Sequence, residues 1–352
     1  MIADAALILI DGAYGEGGGA TVRTALAMAS LTQQPVRMFN VRGGTKYAGL
    51  DPEDLVILRT LAEASTATVT DDVVGAHSFT FSPTRRARSF NGIIPAIRNS
   101  GGRGPNALVV LNALLPVLAR TGAYSELTVD GETFGMNALS YDAFANVTLP
   151  VLRNLGIHAF AEQTRAGFGR ESAGEVRLEI EPSAVVPIKW SDRGRLNGVH
   201  AILSTSGVAA ALIDRAKSHL KKLAQNVSVS LNFEHIEVGS PIPGAYLTLW
   251  AEYDKGLGSA TGMAMKGMRI ESLMQATFEE LLDWMSGPAT VDPYLADQIL
   301  IPAVLAEGES TFKVSRLTSR FLTTAWVIKQ FLPVHITIRG SEGTAGTVSV
   351  HR

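Results

Sequence analysis

An α/β fold is what these 352 residues predict, and three observations carry the prediction. Short apolar runs that read as strands alternate with stretches of helical spacing from end to end. A glycine or polar turn stands at each junction between them. The composition, 46% apolar and 18% charged, is that of an ordinary globular protein, with length for roughly two or three folding units.

The elements follow in order. Residues 7–10, all Leu or Ile, read as a strand that runs into the glycine loop Gly15-Glu16-Gly17-Gly18-Gly19. Helical spacing of Val22, Ala25, Leu26 and Met28 predicts a helix over 21–31, followed by a strand over 36–41. Asp51 as N-cap and Pro52 at the first helical position open a helix over 52–64. A strand is expected over 77–81, an apolar helix over 106–119 entered through the glycines at 101–104, and a strand over 125–129. A single helix over 140–155 stops at Gly156.

The texture changes between about 190 and 265. A strand (196–204), a helix (207–223) with Lys217, Lys221 and Lys222 on one solvated face, and strands over 227–237 and 245–252 form a compact βαββ set, which a loop over 254–262 closes. A helix over 269–286 returns to the main pattern, which further elements over 299–306, 312–314, 318–331 and 334–338, the last a strand around His335, complete. The domains expected are therefore a main unit, 1–188 and 266–352, interrupted by a small α/β unit, 189–265.

Composition narrows the chemistry. The absence of cysteine removes disulfides, thiolate nucleophiles and cysteine zinc sites. The seven histidines are scattered, with no H-x-x-x-H or H-E-x-x-H pair. A net charge of −2 and a pI of 6.4 lack the overall basic excess typical of a nucleic-acid binder. No apolar run is long enough to span a membrane, and the first ten residues, with Asp4 and no basic stretch, read as a strand rather than a signal peptide; the cytoplasm is the expected location.

Two motifs stand out. The glycine loop follows a strand and opens a helix, where bare backbone and free N–H groups suit either a tight turn or contact with phosphate oxygens. Glu16 within it is either a helix-capping carboxylate or a ligand for a ribose hydroxyl or metal. In Tyr294-Leu-Ala-Asp297-Gln298, helical geometry places Tyr294, Asp297 and Gln298 on one face. An aromatic ring, a carboxylate and an amide there could stack a base, hold a divalent metal and bind a phosphate oxygen, or could be an ordinary solvated helix edge.

Taken with D-G-x-x-G-E-G-G-G-x-x-x-R at 11–23, Leu-Pro-x-Leu at 115–118, L-x-x-L-G-I at 152–157, Y-L-A-D-Q at 294–298 and Phe-Leu-Pro at 331–333, the chain resembles the RNA 3′-terminal phosphate cyclase family from residue 8 to 350. The resemblance implies three βαβαββ-like units akin to those of enolpyruvyl transferases, interrupted by a small α/β domain. It also implies ATP with Mg²⁺ or Mn²⁺ as cofactors. Glu16, Gly17, Gly18, Arg23, Asn112, Tyr294, Gln298 and Arg320 would form the nucleotide site, and Asp297 with Glu16 would hold the metal. The substrate loop would contain Arg42, Lys46, Asp51, Glu53 and Asp54.

Departures from the family pattern fall where its chemistry occurs. Arg320 stands where the family has the histidine that takes AMP from ATP; a guanidinium stays protonated and has no free lone pair with which to attack. The substrate loop carries three carboxylates, which are expected to repel an RNA phosphate terminus. A proline-rich base clamp is replaced by Phe134-Gly-Met136-Asn-Ala-Leu, a glutamine by Asn112, and the turn at 167–174 reads Gly-Phe-Gly-Arg-Glu-Ser-Ala-Gly. The expected function is thus a cyclase-like protein without the standard activity that binds a nucleotide, a small phosphorylated ligand or RNA. An enzyme using ATP or another phosphorylated molecule, with Arg320 as a phosphate clamp, is the alternative, and enolpyruvyl transfer a weaker one.

Overall fold

The computed structural model describes residues 6–352, so the first five residues of the expected N-terminal strand lie outside it. Strand β1 (Ile8–Asp11), helix α1 (Gly19–Thr32), β2 (Val36–Phe39), α2 (Pro52–Ser65), β3 (Thr68–Thr70) and β4 (Phe79–Ser82) make the first unit. Its sheet runs β1-β2-β4-β3, with β1 parallel to β2 and β4 antiparallel to both of its neighbours. The second unit repeats the pattern with β5 (Asn91–Ile94), α3 (Ala107–Leu118), β6 (Ser125–Gly131), a broken helix over 141–154, β7 (Ala159–Arg165) and β8 (Gly174–Ile180), in the order β5-β6-β8-β7.

The broken helix departs from the single one expected over 140–155. It comprises α4 (Tyr141–Ala143), a π turn (Phe144–Thr148) and α5 (Leu149–Asn154). Pro150 has no N–H to return to the Asn146 carbonyl, and Leu149 N–H bonds five residues back to Phe144 instead.

Strand β9 (Lys189–Trp190) opens the third unit, which the chain leaves before completing. A separate sheet follows: β10 (Leu196–Ser206), α6 (Ala210–Asn226), β11 (Leu231–Glu237), β12 (Gly244–Tyr253) and β13 (Gly256–Met263), ordered β11-β10-β12-β13. After α7 (Ile270–Ser286) and α8 (Pro293–Leu305), β14 (Glu309–Val314), α9 (Ser319–Phe331), β15 (His335–Arg339) and β16 (Gly346–His351) complete the third sheet, β15-β16-β14-β9. Here again the first strand is parallel to the second and the last lies between the second and third. Three units with one connectivity, interrupted within the third by a smaller α/β unit, is the fold.

The expected loop over 254–262 is instead strand β13, paired along its length with β12. Its glycines misled the reading for a physical reason. A Cβ on Gly258 would sit 2.3 Å from the Trp284 ring, so glycine lets α7 pack directly on the strand. Helix α7 therefore belongs with the smaller sheet, not with the main pattern: Leu273, Met274, Phe278, Leu281 and Trp284 share a core with α6 and the inner face of β10 and β12. The strand expected over 227–237 begins only at Leu231, because α6 runs on to Asn226. The larger core gathers α1, α2, α3, α8 and α9 against the three repeated sheets.

Candidate functional site

A cavity of about 960 Å³ opens where the helix N-termini of the repeated units face the smaller unit. Of the residues expected in the nucleotide site, Glu16, Gly18, Arg23, Asn112, Tyr294, Gln298 and Arg320 line it. Arg42, Glu53 and Asp297 line it as well, whereas Gly17, Lys46, Asp51 and Asp54 do not. Lys46 is exposed, its ammonium lying over the Tyr47 ring.

The glycine loop is held by α9. Gly15 has φ +62°, and a Cβ there would meet Thr323 Oγ1 at 2.1 Å, so only glycine fits. Thr323 Oγ1 accepts the Glu16 N–H at 2.9 Å and donates to the Ser319 carbonyl at 2.7 Å. One turn earlier, Arg320 Nε donates to Glu16 Oε1 at 3.2 Å. Two bonds thus lock the carboxylate-bearing loop to the first two turns of α9, which Thr318 caps. Thr323 carries no sequence signal beyond its i+3 spacing from Arg320, and the sequence reading missed it.

Helix α8 delivers the second group. Asp292, buried, caps it by accepting the Tyr294 and Leu295 N–H groups, each at 2.8 Å. That start sets Tyr294, Asp297 and Gln298 on the cavity side, as their spacing predicted. The Tyr294 ring is half exposed. Gln298 is partly committed, accepting from Thr148 Oγ1 and donating to the Tyr294 carbonyl. Asp297 keeps some exposed surface, yet both carboxylate oxygens are shielded from water and have no hydrogen-bond partner. Burial, reinforced by Glu16 and Asp292 against the opposing pull of Arg320, pushes its carboxyl up to about 8. Glu16 Oε2 is likewise buried and unpartnered.

The third group corrects the expectation of a repulsive acidic loop. Asp54, wholly buried, pairs with Arg42 at 2.9 Å and Arg23 at 3.6 Å. Glu53 pairs with Arg23 at 3.0 Å and accepts the Asn106 N–H at 3.1 Å. Asp51 caps α2 and is held by the guanidinium of Arg170 from the second unit. All three carboxylates therefore have partners within the protein, and the loop presents no unmatched negative charge. Burial pushes Asp54 up to about 6, so the pairing stays ionic at neutral pH. Arg103, Arg170, Asn106 and Glu132 also line the cavity and were not read as site residues. Their signals were the glycine turns at 101–104 and 167–174 and the position of Asn106 as N-cap of α3, which marks it as structural.

Five arginines and seven carboxylates line the cavity, without lysine or histidine among its described residues. The arrangement defines an α/β repeat protein with a large cleft in which arginines and carboxylates interleave and both oxygens of the shielded Asp297 carboxylate are without a hydrogen-bond partner.

A family model described as RNA 3′-terminal phosphate cyclase matches residues 14–338. An RNA 3′-terminal phosphate cyclase of Thermococcus onnurineus is 32% identical over 98% of this chain and 99% of its own, and one of Methylococcus capsulatus is 30% identical over 98% and 96%. The chain belongs to the RNA 3′-terminal phosphate cyclase family. Among solved structures, the enolpyruvyl transferase NikO from Streptomyces tendae matches 99% of this chain and 48% of its own at a TM-score of 0.40 and 14% identity.

Proposed function

We propose that this family member binds a nucleotide in the cleft and works there without a histidine–AMP intermediate, so that it lacks the standard cyclase activity. The observation that carries this reading is the cavity lining: among the described residues it contains no imidazole and no lysine amine, and Arg320 lies on Glu16 at the start of α9. A protonated guanidinium cannot attack phosphorus, but it can neutralise a phosphate oxygen. Arg320 is a phosphate clamp in this reading, the exposed Tyr294 ring stacks on the base, and the free N–H groups at the start of α1 face the phosphates.

Mg²⁺ or Mn²⁺ fits the residues present. Asp297 offers two unpartnered oxygens and Glu16 a third, all hard ligands. No group of three acidic or histidine side chains able to hold a metal occurs among the described residues. That suits an ion that completes its shell with phosphate oxygens and water rather than with a protein cage. The bound ion would supply positive charge where the carboxylates outnumber the arginines.

The unpartnered oxygens of Asp297 and Glu16 favour a second reading, in which ATP or another phosphorylated molecule is turned over directly. RNA stands as a partner of the same cleft, since the pairing of Asp51, Glu53 and Asp54 removes the repulsion expected of them. No described helix is long and apolar enough to cross a membrane. ATP binding, titrated with and without Mg²⁺ in the parent protein and in Tyr294→Ala and Asp297→Ala, tests the reading. It predicts Mg²⁺-dependent binding that both variants weaken. Equal binding in all three proteins would place the nucleotide elsewhere.

A further inference from the structure

We infer that β11, the edge strand of the smaller unit, receives an extended acidic segment of another protein as a fifth strand of its sheet. The place lies outside the cleft, with which it shares no lining residue. The first observation is an open sheet edge. In the order β11-β10-β12-β13, the far strand β13 is bridged at Leu257 through Val291 to Val314 of the third sheet. β11 has no strand on its outer side among the described residues. It spans seven residues, pairs with β10 without a bulge and carries neither proline nor lysine, so neither a kink nor a lysine blocks the edge. The N–H and C=O groups of every second residue point outward, where no described turn or loop takes them.

The second observation is a hollow of about 510 Å³ along this edge. Its lining includes the consecutive residues Leu231, Asn232, Phe233 and Glu234, whose side chains alternate between the two faces of the strand. The hollow therefore wraps the edge instead of lying over one face. On one side stand Lys217 and Lys221 of α6, the Lys217 Nζ 5.8 Å from the Phe233 ring. On the other stand His200, stacked on Trp250 at 5.0 Å, and Asn146 of the second unit's π turn. A strand laid along β11 is walled on both of its faces.

Charge then selects the occupant. Lys217 and Lys221 are exposed and form no ion pair among the described residues, whereas Arg215 of the same helix is paired with Glu271. Helix α6 is the crossover between the parallel strands β10 and β11 and so runs along them. Lysines at i and i+4 lie about 6 Å apart on a helix, close to the spacing of about 6.6 Å between alternate residues of a strand. Two acidic residues at i and i+2 of the incoming strand meet both lysines together. The residue between them points to the other face, where Glu234 repels a carboxylate and the Trp250–His200 surface takes an uncharged side chain. Acidic–uncharged–acidic is the pattern that fits. A second copy paired β11 to β11 about a twofold axis would set the lysines of the two α6 helices against each other. An RNA strand would carry its phosphates past Glu234 and leave the backbone groups of the edge unused.

The test uses the full chain and a labelled, end-blocked peptide of alternating glutamate and valine, about seven residues long to match β11, followed by fluorescence anisotropy at low salt. Two further peptides carry backbone N-methyl groups, one on its glutamates and the other on its valines. Successive N–H groups of a strand point to opposite edges, so one of the two loses affinity by about tenfold or more while the other binds like the parent peptide. This pair leaves the protein unaltered and does not depend on the folding of a variant. Lys217→Ala combined with Lys221→Ala lowers affinity by about tenfold and flattens its dependence on salt. The inference is overturned if the parent peptide does not bind, if the two N-methylated peptides bind alike, or if the double variant binds as the unaltered protein does. A uridine oligonucleotide that requires both lysines while the peptide fails to bind would assign the surface to RNA and overturn it. A dimer of the protein that the peptide dissociates would assign the edge to a second copy and overturn it equally.

Discussion

Replacing Asp297 by Asn is expected to stabilise the protein in the absence of metal while removing its response to Mg²⁺. The carboxyl has no hydrogen-bond partner and is pushed from an ordinary 3.8 up to about 8 by burial. An acid whose folded value is raised carries no penalty below the unfolded value and loses stability as pH rises from there through the folded value. The window here is therefore about pH 4 to 8. At pH 7 the shift corresponds to about 4 kcal/mol as an upper bound, at about 1.4 kcal/mol per unit. Residual exposure of the residue and relaxation around it reduce this to about 2–3 kcal/mol. A neutral amide and a protonated carboxyl are nearly isosteric and equally short of partners, so that contribution cancels. Urea unfolding in a chelator at several pH values is the assay. The variant should match the parent near pH 4, gain through neutrality and level off above pH 8. Mg²⁺ with ATP should then stabilise the parent and not the variant. A variant no more stable than the parent at pH 8, or one that Mg²⁺ with ATP still stabilises, would refute the reasoning.

Other predictions follow from the same geometry. Thr323→Val removes the acceptor for Glu16 N–H and should cost about 1–2 kcal/mol of stability in thermal unfolding, together with ATP affinity. Gly15→Ala forces a side chain into left-handed backbone against Thr323 and should be more damaging, by about 2 kcal/mol or more; an unchanged melting temperature would contradict the loop geometry. Asp54→Ala leaves Arg23 and Arg42 short of a buried counter-charge and should destabilise by about 3 kcal/mol, read by urea unfolding at pH 7. Arg320→His should yield no cyclic phosphate on a 3′-phosphorylated RNA; product from that variant would show that the remaining departures from the family pattern are immaterial.

Much of the fold was legible because apolar spacing and caps agree with the tertiary structure. Asp51 and Pro52 open α2 as read, and Tyr294, Asp297 and Gln298 share a face because α8 starts early enough to carry them. What failed did so for identifiable reasons. β13 is glycine-rich because a helix rests on it, which erases the side-chain pattern of a strand. β3 and β9 are only three and two residues long and carry no period to detect. The acidic loop looked repulsive because its partners Arg23 and Arg170 are far off in the chain, and long-range pairing leaves no local trace. The same holds for Thr323, which acts on a loop 307 residues away.

The most direct test of the central claim is the intact mass of the protein after incubation with ATP and Mg²⁺ or Mn²⁺, with ATP binding measured on the same sample. A cleft lined by arginines, without histidine or lysine, predicts binding with the protein's mass unchanged. A mass increase of one AMP would show that another side chain has become the nucleophile and would contradict the account.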